Sequence, residues 1–599
     1  MAFVSVSVLA VQEPPTRQVP PPTPNAAPNV TYEDATERAG IGAFRHVSGG
    51  RGKHYLIETT GSGLAMTDLD GDGFVDLYFV NGSSLERVRA GERAPPAALF
   101  RNNGDGTFRD VTREAGVANE RWGQGVCAGD YDNDGIADLY VTNFGTNRLY
   151  RGIDGRRYTD VAPAAGVAIK SWTTGCAFGD YDGDGWLDLY VAGYVDLDLD
   201  ALPPAPRRDV PGRISTTPGA PEGGAQGMGA SYTAGAAFCT YRAQPVMCGP
   251  RGLPGAADFL FRNNRDGTFT DVTRDAGVVD ARGRYGLGVA WFDMDDDGRL
   301  DLIVANDSGP NFVYRNLGGG RFEDVSYPSG AALDANGREQ AHMGVAIGDF
   351  DGDGRSDVHI TNFADDFNVL YRNLGDATFQ DVSFKHGVAQ PSVPFLGWGT
   401  DFLDYDNDGW LDLLVVNGHV YPAADGLDWN TSYAQRSLLF RNLGGRRFEE
   451  IGAAAGPPLT TPRVSRGSAA ADVDNDGGID IAVNTLDGPP LLARNQGDGR
   501  GAWLTVHLRG DLSQRCPRDA IGSVVFVTVD GRRLRGEVAS GRGQISQSDL
   551  RVHFGLGASP RDVSLEVRWA NGEPRTYAVP AWNRVIVIDQ ARGVLPPRQ

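Results

Sequence analysis

The sequence predicts an all-β chain: a seven-bladed β-propeller whose last blade is completed by an amino-terminal strand, followed by a carboxy-terminal β-rich, sandwich-like domain. Three observations predict it. The acidic nonapeptide Asp-x-Asp-x-Asp-Gly-x-x-Asp occurs seven times, each copy stands between two short apolar runs, and two further strand-like runs follow most copies. Four strands per unit in a repeated series is the pattern of a propeller.

The loops come first. They place carboxylates at Asp68, Asp70, Asp72 and Asp76; Asp130, Asp132, Asp134 and Asp138; Asp180, Asp182, Asp184 and Asp188; and Asp293, Asp295, Asp297 and Asp301. The last three copies hold Asp349, Asp351, Asp353 and Asp357; Asp404, Asp406, Asp408 and Asp412; and Asp472, Asp474, Asp476 and Asp480. Alternate carboxylates on a curled loop, with a carbonyl and water, suit a hard cation that takes six to eight oxygens, so up to seven Ca2+ ions of mainly structural role are expected. Gly at position 6 permits the curl. A helical calcium hand would need Glu at position 12, where this chain has Phe79, Val141, Val191 and Ile360.

The flanks make the loop a strand connection. Each copy is approached from Gly-x-x-x-x-Asp, as in GVCAGD and GVAIGD, and left through runs such as DLYFVN and DLLVVN. A third strand ends in Arg-Asn in most units (LFRN at 99, VYRN at 313, LYRN at 370), and a fourth follows a Gly/Asp turn (GTFRDVT, GRFEDVS). The seventh unit lacks a fourth strand before Gly501, whereas residues 29–41, NVTYEDATERAGI, read like one. The amino-terminal strand is therefore expected to close the ring.

These units resemble the FG-GAP/VCBS repeats of integrin-α-like calcium propellers. PRDAIGSVV at 517–525, SGRGQISQSD at 540–549, HFGLG at 553–557 and VRWANG at 567–572 resemble the ASPIC/UnbV domain, with Pro517 in place of the usual Asn. Together the resemblances cover roughly residues 30–595 and point to the cartilage acidic protein family, whose bacterial members are mostly exported proteins of unestablished activity. The expected organisation is a signal-like remnant and Pro-rich linker over 1–28, a propeller over 29–500 with an insertion at 194–257 in blade three, and a β domain over 501–599.

Composition agrees. The formal charge is -21, and the loops hold 28 of the 77 acidic residues, so seven divalent cations would leave -7. Nucleic acid is an unsuited partner because phosphate binding needs a positive face. Residues 2–11, AFVSVSVLAV, read as the apolar part of a signal peptide without preceding Lys or Arg, and no later run is long and apolar enough to be a transmembrane segment. Export, to the periplasm, cell surface or medium, fits weak calcium sites filled near millimolar concentration. Cys239 and Cys248 are expected to form a disulfide in the loop-rich insertion, Cys127 and Cys176 to be buried apolar residues, and Cys516 is unassigned.

Loops of an up-and-down blade alternate between the two faces of the ring. The long insertion at 194–257 and the loop at 417–437 therefore lie opposite the acidic loops, where function on variable loops is expected. Trp122, Trp172, Tyr285, His342 and Trp398 stand near the same mouth, placed either to stack on a sugar or clamp a peptide, or simply to pack neighbouring blades. No catalytic residue is assigned: the eight histidines are dispersed, and His419 near Asp425 and Asp428, or His342 beside Glu339, read better as structural. The SGRGQISQSD segment reads as an anion-holding turn or a plain tight β-turn, and the Arg509-Gly510-Asp511 tripeptide as chance.

The leading expectation is an exported calcium-binding adhesion module for a glycan, matrix or protein partner on the face opposite the loops. The alternatives are a self-assembling exoprotein, for which a homo-oligomer is the relevant state, and an enzyme of secondary metabolism or polysaccharide processing.

Overall fold

The computed structural model describes residues 30–202, 239–242, 244–497 and 500–596. The expected signal-like stretch and linker at 1–28, and most of the insertion, lie outside these residues. The chain is all-β. Apart from the hairpin of Cys239–Tyr241 and Gln244–Val246, its described strands up to Gln496 group into seven four-stranded antiparallel sets, blades one to seven; the second and third join edge to edge, because Lys170–Gly179 begins early and pairs Trp172 with Phe144.

The ring closes in two ways. The innermost strands, Leu64–Thr67, Trp122–Gly129, Lys170–Gly179, Gly286–Phe292, Val345–Gly348, Gly397–Leu403 and Ser465–Ala471, pack each on the next, and the last returns to the first. The amino-terminal strand Thr31–Asp34 pairs antiparallel with Leu491–Gln496, so both ends of the ring share blade seven.

Each blade is buried on both faces, which is why its second strand reads as a continuous apolar run. Alternate side chains go to different neighbours: Leu139 and Val141 enter the core shared with blade one, and Tyr140 enters the core shared with blade three. The recurrent Gly before each acidic loop is a packing requirement. A Cβ at Gly125 would collide with the Thr174 carbonyl, and one at Gly344 with that of Trp398, so glycine lets the innermost strands approach backbone to backbone.

The carboxy-terminal domain has two four-stranded sheets. One orders Val552–Gly557, Ala502–Arg509, Arg584–Asp589 and Gly593–Val594, with the middle two parallel; the other orders Arg532–Glu537, Val524–Val529, Val563–Arg568 and Pro574–Tyr577. Leu504, Val506, Val525, Val527, Leu565 and Ile586 are in their common core, which continues into blades two and three through residues such as Tyr140, Phe178 and Leu187. Among the described residues no helix is long and apolar enough to cross a membrane.

The segment between these sheets enters the ring. Gly543 exchanges two backbone hydrogen bonds with Val345, Gln547 donates to the Leu64 carbonyl and its own carbonyl accepts from Met66, and Ile545 accepts from Val126. The Ser546 hydroxyl accepts from the Leu64 amide and the Ser548 hydroxyl from Ala470. The inner strands would otherwise leave these donors and acceptors without partners in a narrow channel, and the inserted turn satisfies them. The Gly543 and Gln547 amides are spent on the ring, while those of Gly541 and Arg542 are spent within the turn on the Gln547 side chain and the Ser546 carbonyl.

Candidate metal centres and the two mouths of the ring

Within each acidic loop the backbone is held by its own carboxylates. In blade six, Asp404 accepts from the Asp408 and Gly409 amides at 3.1 and 2.7 Å, Asp408 accepts from Trp410 at 2.8 Å, and Asp412 accepts from Tyr405 at 3.1 Å and Asn442 at 2.7 Å. The position-9 carboxylate thus braces the loop to the third strand in the same blade. Blade seven repeats the pattern through Asp472, Asp476 and Asp480.

Position 3 differs. One carboxylate oxygen of Asp132, Asp182, Asp295 and Asp474 is buried without a hydrogen-bond partner. An acceptor-only group withdrawn from water in this way is suited to a cation. The loop carboxylates also converge: one oxygen each from Asp68, Asp70 and Asp72 lie within 4.8 Å of one another, as do those of Asp130, Asp132 and Asp138, of Asp180, Asp182 and Asp188, of Asp293, Asp295 and Asp297, and of Asp349, Asp351 and Asp353. The donor set is all oxygen and anionic, so the residues fit a hard divalent cation.

Electrostatics point the same way. Burial, reinforced by neighbouring carboxylates, pushes Asp68 and Asp293 up to about 6, Asp180, Asp349 and Asp472 to about 7, and Asp130 to about 8. Asp76, Asp138, Asp188, Asp357, Asp404, Asp412 and Asp480 are raised well above the usual carboxylate range by burial, and Asp301 to about 8. Without a counter-charge these groups favour protons over ionisation.

The Arg-Asn pair of the third strand, visible in the sequence only as a repeat mark, has two jobs. Its Arg pairs with the position-3 Asp, as in Arg101–Asp70 at 2.8 Å and Arg315–Asp295 at 2.7 Å. Its Asn donates both to its own loop and to the carbonyl after the first Asp of the preceding blade: Asn316 to Tyr181, Asn373 to Met294, Asn442 to Phe350 and Asn495 to Tyr405. Its recurrence in six of the seven units, beside the acidic loops, was the signal that could have shown this.

The carboxy-terminal domain covers the loop face. Arg568 pairs with Asp293 at 2.8 Å, Arg532 donates to the Asp408 carbonyl, Arg551 to those of Asp472 and Gly73, Arg535 to that of Gly354, and Asp519 accepts from the Asp130 amide. In blade three, Gly185 lies against Arg515 and Leu512.

At the opposite mouth, Trp122, Trp172, Tyr285, His342 and Trp398 are all buried, at 2%, 2%, 9%, 0% and 3% exposure. The four aromatic residues share an apolar cluster with Tyr194 and Met247, from the two described ends of the insertion, and with Tyr421 and Trp429 of the loop at 417–437. The Trp172 ring meets Tyr194 edge-on at 4.8 Å, and the Trp398 ring lies 4.2 Å from the buried Arg466 guanidinium. His342 bonds Asn311 and Gln340, not Glu339.

Cys239 and Cys248 are disulfide-bonded, closing a hairpin whose Tyr241 donates to Asp365 at 2.6 Å and so reaches across to blade five. Cys127 and Cys176, expected to be separate buried residues, are also bonded to each other. They face one another because the innermost strands of blades two and three are adjacent. His419 is fully buried and accepts from the Tyr421 amide, while Asp425 holds the Tyr433 amide. Asp511 of the Arg-Gly-Asp tripeptide caps a short 3-10 helix through Ser513, which keeps its carboxylate in local structure.

The fold and its loops define a repeat propeller that carries one candidate cation site in each blade and a second β domain on the loop face. Residues 68–141, 130–191, 252–304, 293–360 and 349–415 match the FG-GAP-like repeat family, and residues 510–594 match the ASPIC and UnbV family. The chain thus belongs among the proteins that join FG-GAP-like repeats to an ASPIC and UnbV domain. It is 28% identical over 336 residues to cartilage acidic protein 1 of Mus musculus, covering 53% of this chain and 47% of that protein. To cartilage acidic protein 1 of Xenopus tropicalis it is 27% identical over 541 residues, covering 88% of this chain and 64% of that protein. The chain spans less than two thirds of the length of either relative. Among solved structures, an Agrocybe aegerita lectin specific for non-reducing terminal N-acetylglucosamine is 18% identical, with a TM-score of 0.33 over 66% of this chain and 82% of that one.

Proposed function

We propose that this chain is an exported, calcium-braced binding module, without catalytic function, that engages a glycan, matrix or protein partner on the face opposite the acidic loops. The observation that carries the reading is the division of the two faces. The loop face is taken up by the chain's own second domain, while the other presents the insertion hairpin and the 417–437 loop over a rigid aromatic floor. Partners are expected on such loops rather than on the floor beneath them.

In this reading the 28 loop aspartates hold up to seven Ca2+ ions, whose charge neutralises carboxylates that burial otherwise disfavours. The two disulfides and the kinship to cartilage acidic proteins support export. The test is a glycan-array and matrix-protein binding screen with the full chain in calcium. A ligand whose binding is lost in Tyr241→Ala or Arg242→Ala, but kept in the domain-face variant Arg533→Ala, supports the reading. A ligand lost only in the domain-face variant overturns it.

A further inference from the structure

The seven loops differ at position 4, and the difference is ordered. Asn133, Asp296, Asn407 and Asn475 stand there in blades two, four, six and seven, all in the left-handed region at φ 56, 59, 57 and 58. Gly71, Gly183 and Gly352 occupy the same place in the other three. Glycine is the residue this conformation favours, and Asn and Asp are the side chains it tolerates best, so the four positions can carry a hydrogen-bonding group at small backbone cost.

All four side chains meet the carboxy-terminal domain. Asn133 accepts from the Arg518 amide at 2.8 Å, Asp296 pairs with Arg535 at 2.7 Å, Asn407 bonds His553 at 2.7 Å, and Asn475 accepts from Arg551 at 2.7 Å. The three Asn amides also donate to the position-6 carbonyl of the next blade: Asn133 to Gly185, Asn407 to Gly477, Asn475 to Gly73. One residue between the position-3 and position-5 carboxylates therefore fastens its own loop, the neighbouring loop and the second domain together.

We propose that position 4 is the docking element for the carboxy-terminal domain, and that cation binding and docking are linked, each strengthening the other. The inference rests on the calcium reading above. A cation that fixes the curl of the loop fixes the place of the position-4 side chain and of the carbonyls that Arg532 and Arg551 reach, so the docked domain fits the loaded loop. Emptying the loops loosens the domain and the turn at 543–547 that it inserts in the channel. Linkage is reciprocal: the factor by which docking strengthens cation binding is the factor by which cation binding strengthens docking, so a variant that undocks the domain loses that gain in cation affinity.

The experiment uses the full chain. Hydrogen exchange is followed at the Gly543 and Gln547 amides, with calorimetric calcium titration in parallel, for the wild type, for Asn407→Gly with Asn475→Gly, and for Arg551→Gln. The double variant copies the residue that blades one, three and five already carry and keeps every loop carboxylate; Arg551→Gln breaks the Asn475 contact, together with the bonds to the Asp472 and Gly73 carbonyls, from the domain side without changing a loop residue. In calcium, both are expected to exchange about tenfold faster at these amides and to bind calcium about fivefold more weakly or worse, at unchanged stoichiometry. Equal protection of Gly543 and Gln547 in calcium and in chelator, or unchanged calcium affinity in both variants, overturns the proposal while leaving the calcium reading intact. A wild type that takes up no calcium overturns both.

Discussion

At one mouth of the ring, anionic loops are covered by a separate domain through arginines, asparagines and backbone carbonyls. At the other, aromatic rings are covered by the chain's own insertion and by the blade-six loop. The first closure is polar and made on loops rich in carboxylates; the second is apolar. The same scaffold is thus stabilised at its two ends by forces that respond to different conditions.

Chelation breaks the comparison most severely. Removing calcium is expected to lower the thermal midpoint by on the order of 10 °C or more, since several sites lose linked binding energy at once; a calorimetric scan with and without chelator measures it. Next in size, Trp172→Ala or Trp398→Ala is expected to cost about 3–5 kcal/mol in chemical denaturation, from cavity formation at the aromatic mouth, in calcium and chelator alike. A dependence on calcium would erase the distinction between the mouths. Replacing Cys239 and Cys248 by Ser should cost less, about 2 kcal/mol, and leave calcium stoichiometry unchanged.

The smallest effect separates the mouths by pH. Carboxylates whose folded values are raised keep protons that the unfolded chain has lost, so in chelator stability falls as pH rises from about 4 through the folded values of about 6 to 8. At the aromatic mouth, burial lowers His342 and His419 to about 3, so their contribution is complete above about 6.5 and is lost as pH falls below it. Between pH 8 and 6.5 only the first group titrates. Acidification over that window should raise the thermal midpoint in chelator and leave it unchanged in saturating calcium, where the carboxylates hold the ion instead of a proton.

Much of the ring was legible because its repeat is local. Loop spacing, flanking strands and the displaced amino-terminal strand are all written in runs of fewer than ten residues, and strand pairing within a blade joins near neighbours in sequence. The Cys127–Cys176 bond was hidden because it depends on which blades abut, 49 residues apart. The burial of Trp122, Trp172, Tyr285, His342 and Trp398 was hidden for a related reason: a residue at a ring's mouth looks exposed until the segment that folds over it is placed. The Ser-Gly-rich turn at 540–549 carries no sign in its own residues that its partners are strand edges several hundred residues earlier.

That turn also has a place in time. Residues through Gln496, which close blade seven on the amino-terminal strand, leave the ribosome before the turn at 543–547 does. The ring can therefore close around an empty axis, with the inner strand edges facing water, and be corked from the loop side by a segment made after it.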